Sequence, residues 1–398
     1  MSQEDRGGMG KHLVFVGGGH AHLTALLNLR DYTKLNHKVS LISPSPYHYY
    51  SGMGPGMLSG IYRPEEIRFH IKKLAEDRGA GFIEDKVVRI DPVNRNLFLH
   101  SGRKISYDVV SFNTGSEIPV ESLLTTPEEN VFPVKPITNL LQARRFILER
   151  LRKNALNMVV IGGGPGGVEI SSNLWRLVKE NGGDARIILI GGKRLLFESP
   201  DKARRLALSS LQKRDIEVIE GNYAKAIESR TIILSDGRSI AFDVALMAVG
   251  IRPSPLFRDS GLPTGGDGGL LVNPYLQSVV YPEIFGGGDC ISLEGHPLAK
   301  VGVYAVKQNP TLYHNLMAAL QGDEMKVFKP QGAFLLILNM GDGRGILWKK
   351  GWVWDGRLAF VLKDYIDRRF MRKFQVSRER EEEIWLKKDE RLPCPRDP

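Results

Sequence analysis

The feature that most constrains this chain is a glycine turn that occurs twice. Val14-Phe15-Val16-Gly17-Gly18-Gly19 and Val159-Val160-Ile161-Gly162-Gly163-Gly164 each close a short apolar run and open a stretch of helical periodicity. Strand, tight turn and helix in that order are the context that gives such glycines meaning. In Gly162-Gly163-Gly164-Pro165-Gly166-Gly167 the first, third and sixth glycines allow the tight turn, the approach of a pyrophosphate and the packing of helix on strand. The helix N-terminus then offers N–H groups and a positive dipole end to phosphates. Each copy is followed by a second β-like run, at 38–43 and 186–190, so the repeat predicts an α/β chain with two Rossmann-like dinucleotide-binding domains.

A length of 398 residues suits two or three domains, and 42% hydrophobic with 25% charged residues is the composition of a soluble globular protein. No run of about 18 apolar residues occurs, so no transmembrane helix is expected. The apolar segment 12–16 runs straight into glycines and reads as a first strand, not a secretion signal. The two cysteines, Cys290 and Cys394, form no closely spaced pair. Neither a disulfide framework nor a metal site is implied, and a reducing cytoplasm fits. His20 and His22 read as turn and packing residues. The net charge of +10 favours an anionic partner such as a nucleotide, nucleic acid or anionic lipid without saying which, beside the plainer reading of a solvated basic surface; on the whole sequence no nucleic-acid partner is expected.

Along the chain, a helix at 21–31 leads to the strand at 38–43, a Pro-, Gly- and Tyr-rich loop at 44–60, a β pattern at 82–99, and an apolar strand ending in Asn113-Thr114-Gly115. The second half repeats the scheme and closes on Val249-Gly250. Ile284-Phe285-Gly286-Gly287-Gly288-Asp289 then forms another strand and glycine turn before a helix at about 301–320, and this late segment is expected to rejoin the first half. The expected domains are 1–125 with 270–325, an inserted 126–269, and a small C-terminal α+β region, 326–398. That last region holds a strand at 334–338, a hairpin at 347–354 and a helix at 357–374.

The first turn departs from the pattern, because His22 stands where the third glycine would be. The acid that usually ends the second strand and holds a ribose hydroxyl is absent too: Ser43 and Gly191 stand there. Lys193 and Arg194 follow Gly191 and could pair with a 2′-phosphate, so NADPH stands beside NADH; two solvated loop cations are the plainer reading. Asp289 is suited to accept hydrogen bonds from polyol hydroxyls, and Lys307 with Gln308 could stabilise negative charge at the start of the late helix. In the helix at 357–374 the apolar residues Leu358, Val361, Leu362, Tyr365, Ile366, Phe370 and Phe374 share a stripe beside a net charge of +4. Such a helix can lie on an anionic bilayer, or cover the protein's own core or a dimer partner.

The order of these motifs resembles the two-dinucleotide-binding-domain FAD/NAD(P)-dependent oxidoreductases, the pyridine nucleotide-disulfide oxidoreductase superfamily, over roughly residues 10–325. Within it the chain looks most like the branch of type II NADH dehydrogenases and sulfide:quinone oxidoreductases. It is closest to the flavoprotein module fused to some selenide, water dikinases, through Tyr50-Ser51-Gly52-Met53-Gly54-Pro55-Gly56, the run 302–310, Gly341-Asp342-Gly343 and the run 363–371. The resemblance implies FAD on Gly17, Gly19, Thr114, Gly115 and Asp289, and NADH or NADPH on Gly162, Gly164 and Gly167. Gly18, His20, Ser43, Glu169, Gly250 and Gly288 complete the expected cofactor-binding set, with Lys193 and Arg194. The loop at 49–55 would line the flavin face, and Gln308 would match a quinone-site glutamine. Pro55, Lys307 and Gln308 are the expected catalytic residues. The expectation is a cytoplasmic enzyme, peripheral on the inner face of the membrane, that passes hydride from NAD(P)H to flavin and electrons to a quinone. Two rivals stand: a selenium- or sulfur-linked oxidoreductase, disfavoured because paired cysteines are lacking, and a flavin-bearing regulatory protein.

Overall fold

Apolar runs buried on both faces make parallel strands, and this chain has two sets of them. A computed structural model describes residues 10–124, 128–330 and 332–377. It divides into two units, each built on a parallel sheet of five strands among the described residues.

The first unit takes residues 1–48, 70–117 and 251–332. Across its sheet the strands run Ile284–Gly286, Val109–Phe112, His12–Val16, Lys38–Ser43 and Gly81–Glu84. One row of the register reads Phe285, Ser111, Phe15, Leu41 and Phe82. The late segment therefore pairs with the early strands. Because all five strands are parallel, the loops after Val16, Phe112 and Gly286 leave from the same edge, where open α/β sheets bind ligands. The helix expected at 21–31 is interrupted. A 3-10 turn, His20–His22, precedes Leu23–Leu27 and Leu29–Thr33, and the break falls at Asn28, whose side-chain amide donates to the Thr24 carbonyl at 2.8 Å. An asparagine that bonds its own backbone competes with the helical ladder. The long helix Gly302–Gln321 ends at Gly322 in the left-handed region, and the Lys11 ammonium donates to the exposed carbonyl of Leu320 at 2.7 Å.

The second unit takes residues 49–69, 118–250 and 333–398. Its sheet runs Val131–Pro133, Val244–Met247, Leu156–Ile161, Ala185–Gly192 and Glu217–Glu220, with Phe132, Leu246, Val160, Leu189 and Val218 in one row. The expected C-terminal strand and hairpin form one antiparallel sheet of Leu336–Asn339, Gly345–Lys349 and Trp352–Gly356. The last helix spans Arg357–Phe374. Its inward face takes only the end of the apolar stripe. Ala359, Lys363, Asp367, Met371 and Phe374 are buried, whereas Leu358 is 63% exposed, Val361 58% and Tyr365 54%. The spacing of 359, 363, 367 and 371 marks the inner face, and its middle two positions are charged. The segment 49–69 packs on this helix, with Phe69 edge-on to Phe370 and Phe374 at 6.0 and 6.3 Å.

Candidate active site

In the second unit the glycine turn has a distinct requirement at each position. Gly162 has φ +130°, which a side chain rarely adopts, and a Cβ there would lie 2.2 Å from the Ala248 carbonyl oxygen. A Cβ on Gly167 would lie 1.8 Å from the Gly162 oxygen, so the helix Pro165–Glu180 sits as close to the turn as glycine permits. At Gly164 a Cβ would meet nothing within 4 Å. This is the opening a pyrophosphate needs, at the N-terminus of a helix 16 residues long. Gly250, after the strand Val244–Met247, likewise faces open space.

The first unit reaches a related arrangement by other means. Gly17 has φ +85° and lies against the Asn113 backbone, Gly18 faces the Ile71 side chain, and Gly19 abuts the Asn113 amide. His22, at the third glycine's place, is fully buried, with Nδ1 at 2.6 Å from the Gly17 carbonyl and Nε2 at 2.8 Å from the Ser111 hydroxyl. Burial lowers its pKa to about 4. The ring is therefore neutral, and since a carbonyl only accepts, Nδ1–H donates to Gly17 while Nε2 accepts from Ser111. In this copy an imidazole hydrogen bond replaces the bare contact that Gly167 makes in the other.

Around that turn the sheet edge gathers most of the expected flavin residues. Asn113 donates through Nδ2 to the Gly287 carbonyl at 2.7 Å. Gly288, at φ +77°, donates its N–H to the Gln308 Oε1 at 2.6 Å. Asp289 accepts from the Ser116 hydroxyl at 2.8 Å. Thr114 is exposed and Gly115 has no neighbour within 4 Å of a would-be Cβ, so this edge has room for a polyol. Ser43 is buried at the end of its strand, and its carbonyl accepts from Asp85. His20 stands edge-on to His48 with ring centres 4.7 Å apart. The late helix begins at Gly302, which puts Lys307 and Gln308 in its second turn: Lys307 is exposed, while Gln308 is buried and holds the Gly288 turn. Cys290 is buried, its thiol donating to the Gly287 carbonyl at 3.3 Å, and burial raises its pKa. A thiol held in that way is a poor nucleophile.

After the strand Ala185–Gly192, Lys193 Nζ lies 5.3 Å from the Phe197 ring, and Arg194 is bonded to Asp201. Glu220 accepts the Leu195 N–H at 2.5 Å and pairs with Arg204 at 2.7 Å. Among the described residues no three His, Cys, Asp or Glu side chains gather as metal ligands.

One constellation joins residues that were expected in separate roles, Glu169 among the cofactor-binding set and Pro55 among the catalytic. Glu169, on the helix directly after the glycine turn, is half-buried and accepts the Asn339 N–H at 2.7 Å. Burial pushes its pKa up to about 7, against the pull of Lys363. The Lys363 ammonium donates to the Gly52 carbonyl at 2.6 Å and to Asp367 at 2.7 Å, and Asp367 also accepts from the Tyr50 hydroxyl at 2.9 Å. Pro55 is the second residue of the short buried helix Gly54–Ser59, in the same segment as Tyr50 and Gly52. An acid half-protonated near neutrality beside a charged lysine can donate and recover a proton. The inward Lys363–Asp367 spacing was the signal available in the sequence.

Residues 11–319 match the family described as pyridine nucleotide-disulphide oxidoreductase. Ferroptosis suppressor protein 1 of Xenopus tropicalis is 25% identical over 348 residues, covering 84% of this chain and 87% of that protein. The internal alternative NAD(P)H-ubiquinone oxidoreductase A1 of Arabidopsis thaliana mitochondria is 25% identical over 207 residues, covering 47% of this chain and 40% of that one. The sulfide:quinone oxidoreductase structure from Aquifex aeolicus matches with a TM-score of 0.76 at 20% identity, over 95% of this chain and 96% of its own. That likeness shows a shared α/β fold.

Proposed function

The chain belongs to the pyridine nucleotide-disulphide oxidoreductase family, whose cofactors are FAD and NAD(P)H, and we propose that it is an NAD(P)H dehydrogenase that delivers electrons to a quinone. The observation that carries this reading is the pair of glycine turns, each at the ligand edge of its own parallel sheet, one beside an acid poised near neutrality. The first unit holds FAD through Gly17, Gly19, Thr114, Gly115, Gly288 and Asp289. Residues 126–269 hold NAD(P)H through Gly162, Gly164 and Gly167. Bound FAD supplies a two-electron acceptor that can pass electrons on singly or in pairs. The protein positions the nicotinamide nucleotide on the Gly164 opening, and Glu169, with Lys363 behind it, supplies a proton to the acceptor.

Two relatives whose names include a quinone acceptor support that class of substrate. Sulfur chemistry through a cysteine pair is disfavoured, because the chain has only two cysteines and the thiol of Cys290 is capped by a carbonyl. The likeness to the selenide, water dikinase module rests on sequence runs alone. No helix among the described residues is long and apolar enough to cross a membrane. We place the protein at the cytoplasmic membrane surface through the exposed apolar face of Arg357–Phe374, where a lipid-soluble quinone is met. Anaerobic titration with NADH and NADPH, followed by turnover with ubiquinone-1, tests the reading. Flavin reduced by neither nucleotide ends it, and reduction without quinone turnover leaves the regulatory rival.

A further inference from the structure

A proton donor needs a fixed electrostatic setting, and the residues that fix this one come from three stretches of chain within the second unit. We propose that Asp367 and Tyr50 are positioning residues that fix the Lys363 ammonium where its charge acts on Glu169, so that Glu169 hands a proton to a quinone-class acceptor. The inference rests on the proposed quinone reductase activity and deepens it. The balance is NAD(P)H + H⁺ + quinone giving NAD(P)⁺ + quinol. The hydride carries two electrons and one proton, so one further proton is drawn per turnover; Glu169 donates it and is reprotonated from water.

The geometry is specific. Asp367 is 4% exposed, and its two oxygens are divided between Lys363, at 2.7 Å, and Tyr50, at 2.9 Å. The Tyr50 ring is fixed in turn against Phe370, with centres 4.8 Å apart. Gly52, two residues after Tyr50, takes a second ammonium proton at 2.6 Å. The ammonium is thus clamped between its own helix and the 50–52 segment, and two of its three N–H donors have named partners. Other charged and titratable groups face the cluster. Asp364 accepts from Tyr62 at 2.9 Å and from Arg368 at 2.9 Å, and Arg368 also pairs with Glu66 at 3.1 Å. That outer set adds the Asp364 charge to the field on Lys363, behind the larger pulls of Asp367 and Glu169. Against the pull of burial, these two carboxylates hold the ammonium above the ordinary lysine range. Asp367 opposes ionisation of Glu169, and Lys363 favours it. Removing the Asp367 charge leaves burial alone to oppose the lysine field, so Glu169 loses its proton at lower pH.

The test compares ubiquinone-1, which needs protons, with ferricyanide, which takes electrons alone. For Asp367→Asn the ratio of quinone to ferricyanide turnover at neutral pH falls by about tenfold or more. The alkaline limb of the quinone profile moves to lower pH. Tyr50→Phe keeps the ring packing and removes the donor that stabilises the Asp367 anion, so it shifts the limb in the same direction by less; it carries the test if Asp367→Asn does not fold. The protonated-carboxyl infrared band lost in Glu169→Gln titrates at lower pH in both variants, a readout independent of turnover. Ratio, limb and band coinciding with wild type in a folded variant overturn the positioning role alone. A wild-type protein that never reduces ubiquinone-1 overturns the function reading, and this inference with it.

Discussion

Lys363 and Asp367, one helical turn apart, form an ion pair of 2.7 Å with side chains only 10% and 6% exposed, on the inner face of the last helix. A pair this buried is costly to break, because the survivor is left charged and unmatched. Lys363→Met is expected to destabilise the protein by about 3–5 kcal/mol, and pairing it with Asp367→Leu to recover much of that loss. Denaturant unfolding of the two variants checks it. A double-variant loss equal to the sum of the two single losses, with Asp367→Leu measured alone, would show that the pair is not coupled.

Glu169 gives the protein a pH dependence of stability whose sign is fixed by its environment. Its folded pKa, pushed up to about 7, lies above the ordinary value of 4.5. Between those values the folded state binds more protons than the unfolded state, so this residue's contribution falls as pH rises from about 4.5 to about 7 and is flat above. His22 acts oppositely: its pKa of about 4, below the ordinary 6.5, makes stability fall as pH drops through that window. Melting temperature against pH is expected to lose its downward component in Glu169→Gln. A curve parallel to wild type would place the Glu169 pKa near its ordinary value.

At the nucleotide's ribose end the two neighbouring cations are not equivalent. Arg194 is neutralised by Asp201, whereas Lys193 is exposed beside Phe197. Lys193→Ala is expected to raise the Michaelis constant for NADPH about fivefold, about 1 kcal/mol of a surface ion pair, and to leave that for NADH nearly unchanged. Arg194→Ala should do less. Steady-state kinetics with both nucleotides decides it, and equal effects on NADH and NADPH would remove Lys193 as a reader of the 2′-phosphate.

The glycine turns, their order and the return of Ile284–Gly286 to the first sheet were legible because each rests on local pattern: an apolar run, a turn, a helix. The bounds of the last helix were legible for the same reason. Which way that helix faces was not. Its seven-residue apolar stripe outweighs two charges at 363 and 367 in any periodicity argument, yet those charges meet Gly52 and Tyr50, about 310 residues away in sequence. His22 shows the same limit. A missing glycine signals looser packing, and only the Ser111 hydroxyl on a neighbouring strand reveals a hydrogen-bonded substitute. Long-range polar partners override local pattern, and they are where the candidate acid and its neighbours lie.

The outward face of that helix sets the last prediction. Leu358, Val361 and Tyr365 are exposed, as are Trp352 and Trp354 of the preceding strand and Arg357, Arg369, Arg372 and Lys373 on the same helix. Aromatic and aliphatic groups interspersed with cations suit the interface of an anionic bilayer. Basic residues near such a surface contribute about 1 kcal/mol each, and the attraction is screened by salt. The intact protein is expected to float with phosphatidylglycerol-containing vesicles at low salt and to be released as salt rises. Neutralising Arg369, Arg372 and Lys373 should weaken flotation without lowering the melting temperature, whereas neutralising Lys363 and Arg368, which hold inner contacts, should lower it. Trp352→Ala with Tyr365→Ala should remove the salt-resistant part of binding. An intact protein that stays with the aqueous fraction at low salt, yet sediments as a dimer that the same two substitutions dissociate, would assign this face to a second copy of the chain.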